Sequence, residues 1–207
     1  AGYAFCQNDY VCWSAPVDDL TDWQYEGIIY TRAEAAHNED GRQCLYAPDV
    51  TCGPDGRYYL YYALNETSAI SVAVCDTPAG KYTYYGMMPG RTGALCYRLA
   101  PDMLTVEQTY PAVVPGAQTA KGTGFEGHAF FEASSIRKVG DKYYFIYSSE
   151  LSHELCYAVS DSPCRGFVYG GTLVDNADLG LCDTARYFTG NNHGSIEQIN
   201  GRWYVFY

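Results

Sequence analysis

Three short aromatic runs, each directly after a tight turn, stand out in the pattern of hydrophobic and polar positions. They are residues 58–62 (YYLYY), 143–147 (YYFIY) and 203–207 (WYVFY), which follow the turn sequences PDGR, GDK and NGR. Asp-Gly or Asn-Gly before an aromatic run is typical of a β-hairpin. The pattern therefore predicts three hairpins, each with an aromatic second strand.

A second repeated element follows the first along the chain. It consists of a strand, an acidic turn with proline and another strand, at residues 70–82 and 155–167, with a degenerate copy at 10–23. Two hairpins make a four-stranded antiparallel unit, and repetition of such units without helical-period segments predicts an all-β β-propeller. A β-sandwich is the alternative, although it should not repeat the same turn chemistry. No linker interrupts the pattern, so a single domain over 1–207 is expected.

The composition agrees with an all-β protein. The 207 residues include 22 tyrosines and three tryptophans, which suit half-buried strand surfaces and can also stack on sugar rings. The formal charge of −11 and the lack of a Lys/Arg-rich stripe argue against nucleic acid and membrane partners. No apolar run reaches the roughly 18 residues that a membrane-spanning helix needs.

The cysteines predict neither a disulfide framework nor a metal site. There are nine of them, an odd number, without a Cys-x-x-Cys pair, and several lie in strand-like runs. We interpret them as reduced, small core residues, which favours a cytoplasmic location. The alternative, a secreted protein whose signal peptide precedes Ala1, stays open.

Polar residues precede each aromatic strand. They are Asp49, Glu132 and His193, and in a propeller the starts of the innermost strands converge on one central funnel. Cleavage of a glycosidic bond needs two carboxyl groups, one to protonate the leaving oxygen and one to activate water. The pattern indicates a sugar-cleaving site, whereas the alternative is that these acids accept hydrogen bonds from turn amides.

Four sequence runs resemble glycoside hydrolase family 43. They are residues 45–50 (LYAPDV), 124–128 (GFEGH), 131–138 (FEASSIRK) and 190–195 (GNNHGS), and the resemblance covers nearly the whole chain in the right order. It implies a five-bladed propeller that hydrolyses arabinose- or xylose-containing polysaccharide with inversion at the anomeric carbon.

The resemblance also implies roles for individual residues. Glu132 matches the general acid, whose pKa we expect to be raised by burial in an aromatic funnel and by nearby carboxylates. Asp49 matches a substrate-binding residue. His193 matches a histidine at the propeller axis that helps to hold a calcium ion or a water cluster, directly or through water. Further candidates for substrate binding are Glu126, His128, Ser134 and Arg137.

The departures from the family pattern predict an incomplete propeller. The general base should lie on the first strand of blade one, and this chain begins downstream of it. The Asp that tunes the acid should open blade three, yet between Tyr85 and Ala94 the sequence passes directly to what resembles that blade's outer part. Part of blade one, the inner part of blade three and the end of blade five are expected to be missing. Turnover by these 207 residues alone is therefore not expected.

Several functions stay open from the sequence. An exo-acting α-L-arabinofuranosidase or β-xylosidase is the first expectation, and an endo-arabinanase is a close variant. A carbohydrate-binding propeller that has lost catalysis is the alternative from another class. A fructan hydrolase or mannoside phosphorylase ranks lower, because only Arg137 and Lys138 could form a phosphate pocket. In each case the expected partner is an oligosaccharide.

Overall fold

The fold consists of β-strands. The computed structural model describes residues 6–90, 93–151, 153–175 and 192–207. In these ranges the only helix is a short 3₁₀ turn, Arg32–Glu34, so no described helix is long and apolar enough to span a membrane. The strands are β1 (Tyr10–Ser14), β2 (Gln24–Tyr30), β3 (Leu45–Cys52), β4 (Tyr58–Leu64), β5 (Ala69–Cys75), β6 (Thr83–Pro89), β7 (Cys96–Leu99), β8 (Val106–Tyr110), β9 (Phe130–Val139), β10 (Lys142–Ser149), β11 (Leu155–Ser160), β12 (Val168–Val174), β13 (Ser195–Ile199) and β14 (Arg202–Phe206).

The strands form five antiparallel sheets in sequence order. Strands β3–β6 and β9–β12 make sheets of four, and the pairs β1–β2, β7–β8 and β13–β14 make sheets of two. The three aromatic runs lie in β4, β10 and β14, the second strands of their hairpins, as predicted. Among the described residues the third sheet has two strands, which agrees with the prediction that its inner hairpin is missing.

The chain divides into two compact units. The first comprises residues 1–91 and 98–108, and the second comprises 92–97 and 109–207. Each unit has a hydrophobic core of its own. The single domain over 1–207 stays a prediction.

Tyrosines form much of the core of the first unit. Tyr30 and Tyr62 are fully buried, and their hydroxyl oxygens lie 2.9 Å apart. The Tyr30 hydroxyl also donates to the carbonyl of Glu34, and the Tyr10 ring packs edge-on against Tyr62. Burial raises the pKa of Tyr82 to about 12 and raises those of Tyr10 and Tyr30 further. These phenols are therefore neutral core groups with paired hydroxyls.

Strand β10 separates two hydrophobic clusters in the second unit. Phe145 and Tyr147 pack on one face of the strand, in the main core of the unit. Ile146 points to the other face, where it packs against Leu155 of β11 and Ile196 of β13. The strand period of two thus lets one strand contact both its own sheet's core and the last hairpin. This second cluster ties β13 to the sheet that carries Glu132.

We expect Gly170→Ala to destabilise the second unit. A Cβ atom at Gly170 would overlap the Tyr157 ring on the adjacent strand, so the ring or the backbone must shift. Overpacking of this kind costs about 1–3 kcal/mol. Urea unfolding should show the loss as a lower midpoint. The matched control is Gly116→Ala, whose added Cβ makes only an ordinary 3.7 Å contact. Equal midpoints for the two variants would contradict this packing.

Candidate active site

The backbone at the start of β9 determines where Glu132 points. The next residue, Ala133, has a φ of 59°, and the pairing of β9 with β10 shifts register beside Ser148, the partner of Glu132. Such irregularities redirect side chains and are frequent next to active sites. A left-handed conformation costs a non-glycine residue about 1–3 kcal/mol. The orientation of this carboxylate therefore comes with a cost in the free energy of folding.

Strand β3 has the same irregularity at the equivalent position. Ala47 has a φ of 47°, and the register shifts between Tyr46 and Asp49. Ala47 follows Tyr46 as Ala133 follows Glu132, so Tyr46 is the residue of β3 that matches Glu132, and Asp49 matches Ser135. Asp49 and Glu132 therefore do not occupy matching places, although each precedes an aromatic strand. Asp49 is partly buried, and one carboxylate oxygen accepts the backbone N–H of Val50 at 3.1 Å. Its predicted role in substrate binding stays a prediction.

A histidine lies next to the carboxylate of Glu132. Nε2 of His193, just before β13, is 3.5 Å from Oε1 of Glu132, and the two side chains are 34% and 45% exposed. The two residues are 61 positions apart in the sequence, and the structure brings them together. Gly190 and Asn191, the first two residues of the motif 190–195, lie outside the described residues. Cys182, one of the nine cysteines, lies outside them as well.

The electrostatic environment of Glu132 differs from the expected one. The pKa of Glu132 is lowered, first by its hydrogen bond to His193 and further by the charges of His193 and His153, against an opposing effect of burial. The expectation of a raised pKa is therefore wrong for the described surroundings. The reason is physical: the neighbours that act on Glu132 are imidazoles, not carboxylates, and the side chain is half exposed.

An aromatic surface borders the carboxylate. Phe131 is exposed, and the His153 ring stacks on it with centroids 4.5 Å apart and planes at 24°. The Phe131 ring is exposed and His153 is partly buried, and an exposed flat ring suits contact with a sugar ring. Sequence reasoning missed both residues, because nothing in the pattern indicates that residue 153 returns to the start of β9.

The remaining predicted residues of β9 have different environments. Ser134 is exposed, whereas the hydroxyl of its neighbour Ser135 is buried without a hydrogen-bond partner in the described part of the chain. The guanidinium of Arg137 lies 3.5 Å from a carboxylate oxygen of Glu197 on β13. The side-chain amide nitrogen of Asn192 is also buried and unpartnered among the described residues. Substrate binding by Ser134 and Arg137 stays a prediction.

Glu126 has a local structural role in its loop. Its carboxylate accepts the backbone N–H groups of Gly122 and Gly124, the latter at 2.9 Å. Its pKa is lowered by hydrogen bonds from backbone N–H groups of this loop, which stabilise the charged form. The contacts match the alternative that such residues serve the loop itself. Substrate binding by Glu126 stays a prediction.

His128 belongs to a buried polar cluster. Its Nδ1 lies 3.1 Å from Oε2 of Glu154, and its ring stacks on Tyr169 with centroids 4.5 Å apart. The same carboxylate oxygen is 3.3 Å from Sγ of Cys156 and accepts the Thr172 hydroxyl at 2.6 Å. Burial raises the pKa of the Cys156 thiol to about 12. The sequence predicts substrate binding by His128 and a core position for Cys156, and it gives no signal for Glu154.

We expect the left-handed backbone at Ala133 to reject a β-branched residue. Ala133→Val should lower the free energy of unfolding by about 2 kcal/mol, within the range for a strained conformation. Ala133→Gly should cost little, since glycine adopts positive φ freely. Urea unfolding measures both. Ser134→Val, at the exposed neighbouring position, is the control. A similar loss for both valine variants would show that the conformation at Ala133 is not the cause.

We expect His193→Gln to raise the pKa of Glu132. Loss of the imidazole removes the largest contribution that stabilises the carboxylate, so the protonated form should persist to higher pH. The titration of the Glu132 side-chain carboxyl carbon, followed by NMR, measures this change directly. The control is His37→Gln, at an exposed position in the first unit. An unchanged pKa in His193→Gln would disprove the coupling.

Known proteins resemble this chain in sequence and in fold. The sequence profile of glycosyl hydrolases family 43 matches residues 7–96. A xylosidase/arabinosidase of Thermoclostridium stercorarium is 51% identical over 251 residues, which include all of this chain and 53% of that protein. The chain has only 207 residues, so this relative contains segments that the chain lacks. The chain thus spans about half of that relative's length.

Two further similarities are more distant. A xylosidase/arabinosidase of Bacteroides ovatus is 29% identical over 264 residues, covering all of this chain and 76% of that protein. The solved structure of a family 43 β-xylosidase/α-arabinofuranosidase from a compost metagenome, with xylotriose and in a calcium-free form, has a TM-score of 0.71. It is 21% identical and matches 96% of this chain and 73% of that one. The fold is the predicted incomplete five-bladed β-propeller, and the chain belongs to glycosyl hydrolase family 43.

Proposed function

We propose that this chain forms part of an inverting glycoside hydrolase that removes arabinofuranosyl or xylosyl residues from plant polysaccharide oligosaccharides. The observation that carries the proposal is the contact between Glu132 and His193 at the irregular start of β9. The half-exposed carboxyl group of Glu132, oriented by the backbone, directly follows the exposed Phe131 in the chain. The names of the two relatives support the choice of sugars.

Glu132 would act as the general acid. In an inverting reaction one carboxyl group protonates the oxygen of the leaving sugar, while a second carboxylate removes a proton from the attacking water on the opposite face. Glu132 would donate its proton to the glycosidic oxygen as that bond breaks. Phe131 and His153 would pack against the sugar and hold the oxygen near this proton. We assign the second carboxylate to no residue of this chain.

A calcium site at His193 has less structural support than the role of Glu132 as general acid. Calcium takes six to eight oxygen ligands, and the described surroundings of His193 provide a single carboxylate, that of Glu132. These residues alone do not form a calcium site, so we assign no step of the reaction to calcium. A calcium ion held at His193 through water stays a prediction, as does a cytoplasmic location.

One observation favours a second function, that of a carbohydrate-binding propeller without catalysis. A general acid should have a pKa near the working pH, so that it carries a proton when the substrate binds. The pKa of Glu132 is lowered instead, which leaves a carboxylate at neutral pH. A carboxylate can accept hydrogen bonds from sugar hydroxyls but cannot protonate a leaving oxygen. An endo-arabinanase stays a variant of the first function.

The test of the proposed function is Glu132→Gln in the complete reading frame that contains this chain. Hydrolysis of unactivated xylo- and arabino-oligosaccharides should fall by about 10²–10⁴-fold, the usual contribution of a general acid. The loss on 4-nitrophenyl glycosides should be much smaller, because 4-nitrophenolate leaves without protonation. Glu66→Gln, at an exposed turn in the first unit, is the matched control.

Two outcomes would contradict the proposal in different ways. Equal losses on both substrate types would remove Glu132 from the role of acid. If the unsubstituted protein hydrolyses neither substrate but binds the oligosaccharides in calorimetry, the carbohydrate-binding function would be correct instead.

A further inference from the structure

Three metal-ligating atoms converge in the second unit, away from the contact between Glu132 and His193. They are Nδ1 of His128, Oε2 of Glu154 and Sγ of Cys156, and all lie within 4.8 Å of one another. In the described ranges no other group of three histidine, cysteine or acidic residues comes this close. Glu154 is at the centre, 3.1 Å from the histidine nitrogen and 3.3 Å from the sulfur.

The two separations that involve Glu154 are close to those of a tetrahedral site. Zinc binds nitrogen or oxygen at about 2.0–2.1 Å and thiolate sulfur at about 2.3 Å, so neighbouring ligand atoms lie roughly 3.3–3.6 Å apart. The two contacts of Glu154 are within a few tenths of an ångström of that range. A small shift of these side chains would therefore suffice to place an ion between them.

The surrounding residues hold the three side chains in place. The His128 ring stacks on Tyr169 at an interplanar angle of 9°, and the Tyr147 hydroxyl donates to the His128 carbonyl at 2.6 Å. Cys156 is the second residue of β11, and Glu154 directly precedes this strand. The Thr172 hydroxyl contacts the Glu154 carboxylate at 2.6 Å and lies 2.9 Å from the Tyr169 hydroxyl. Contacts of this kind, made to the ligand side chains by residues that do not bind the metal themselves, orient the ligands in metal sites; we call them second contacts.

Burial and charge also favour a cation here. The Glu154 side chain is only 5% exposed and Cys156 is fully buried, so a negative charge at this position lacks the stabilisation that water provides. A divalent ion would compensate the carboxylate and a thiolate together. The His128 side chain is 31% exposed, so this ligand can be reached from solvent.

We propose that His128, Glu154 and Cys156 bind a divalent cation of the zinc type. The mixture of imidazole, carboxylate and thiolate selects such an ion over calcium or magnesium, which prefer oxygen ligands. On binding, the S–H bond of Cys156 breaks, a sulfur–metal bond forms and the proton passes to water. His128 binds through Nδ1 and keeps its proton on Nε2. The ion would connect the loop before β9 to β11 and so support the strand that carries Glu132.

The experiment uses the complete reading frame that contains this chain, after removal of metals with a chelator. Zn²⁺ should bind at about one ion per chain above any residual binding, and it should raise the thermal unfolding temperature. Co²⁺ in its place should give a thiolate-to-cobalt charge-transfer band in the near ultraviolet. Cys156→Ala and Glu154→Gln should lose this ion, this band and the thermal shift. Affinity should fall by more than about 100-fold, beyond the usual effect of second contacts.

Two further variants make the test specific. Cys44→Ala replaces another buried cysteine, in the first unit, and should bind like the unsubstituted chain. Thr172→Val removes only a second contact, so it should weaken binding by about 10–100-fold and keep the cobalt band.

One further variant changes the ligand that is less buried than Cys156 and Glu154. If Cys156→Ala and Glu154→Gln do not fold, His128→Gln, at the exposed edge of the cluster, decides. Absence of the cobalt band from the unsubstituted chain would overturn the proposal, and so would Zn²⁺ binding that His128→Gln leaves unchanged. The cluster would then be a hydrogen-bond network around the Glu154 carboxylate.

Discussion

The packing of Ile196 against Ile146 and Leu155 is the interaction on which the candidate site depends. These three buried side chains attach the hairpin β13–β14 to the sheet β9–β12, although the two elements belong to different sheets. The buried Ser148 hydroxyl adds a hydrogen bond to the backbone carbonyl of Asn192. Because His193 immediately follows Asn192, this attachment brings the imidazole to the carboxylate of Glu132. Burial of apolar side chains thus determines the distance between the His193 imidazole and the Glu132 carboxylate.

The same region shows how stability and function compete. The left-handed alanine after Glu132, the buried Ser135 hydroxyl and the buried Asn192 amide all carry a free-energy cost, and all lie near the candidate acid. Local violations of this kind tend to gather where a protein binds or transforms a ligand. The cores of both units, in contrast, have well-paired tyrosine hydroxyls and dense aromatic packing.

The charge of Glu132 separates the two proposed functions. Within the described surroundings the imidazoles of His193 and His153 favour the ionised carboxylate. A working acid needs an opposing influence, which in this family is expected from an Asp at the start of blade three. The third sheet here has two strands, and the described chain carries no such inner strand. The fold and the lowered pKa therefore point to the same missing element.

The sequence by itself determined the all-β fold, the hairpins of the aromatic runs and the motif positions of Asp49, Glu132 and His193. These features depend on local chemistry: turn residues, the strand period of two and short motifs, all readable along the chain. Only the tertiary structure decided the sign of the Glu132 pKa shift, the ring contact of His153 with Phe131 and the cluster around Glu154. Each of these depends on residues that are distant in sequence or on the exposure of a side chain. An alanine at positive φ likewise leaves no mark in the sequence, since its conformation follows from strand pairing and not from its own preference.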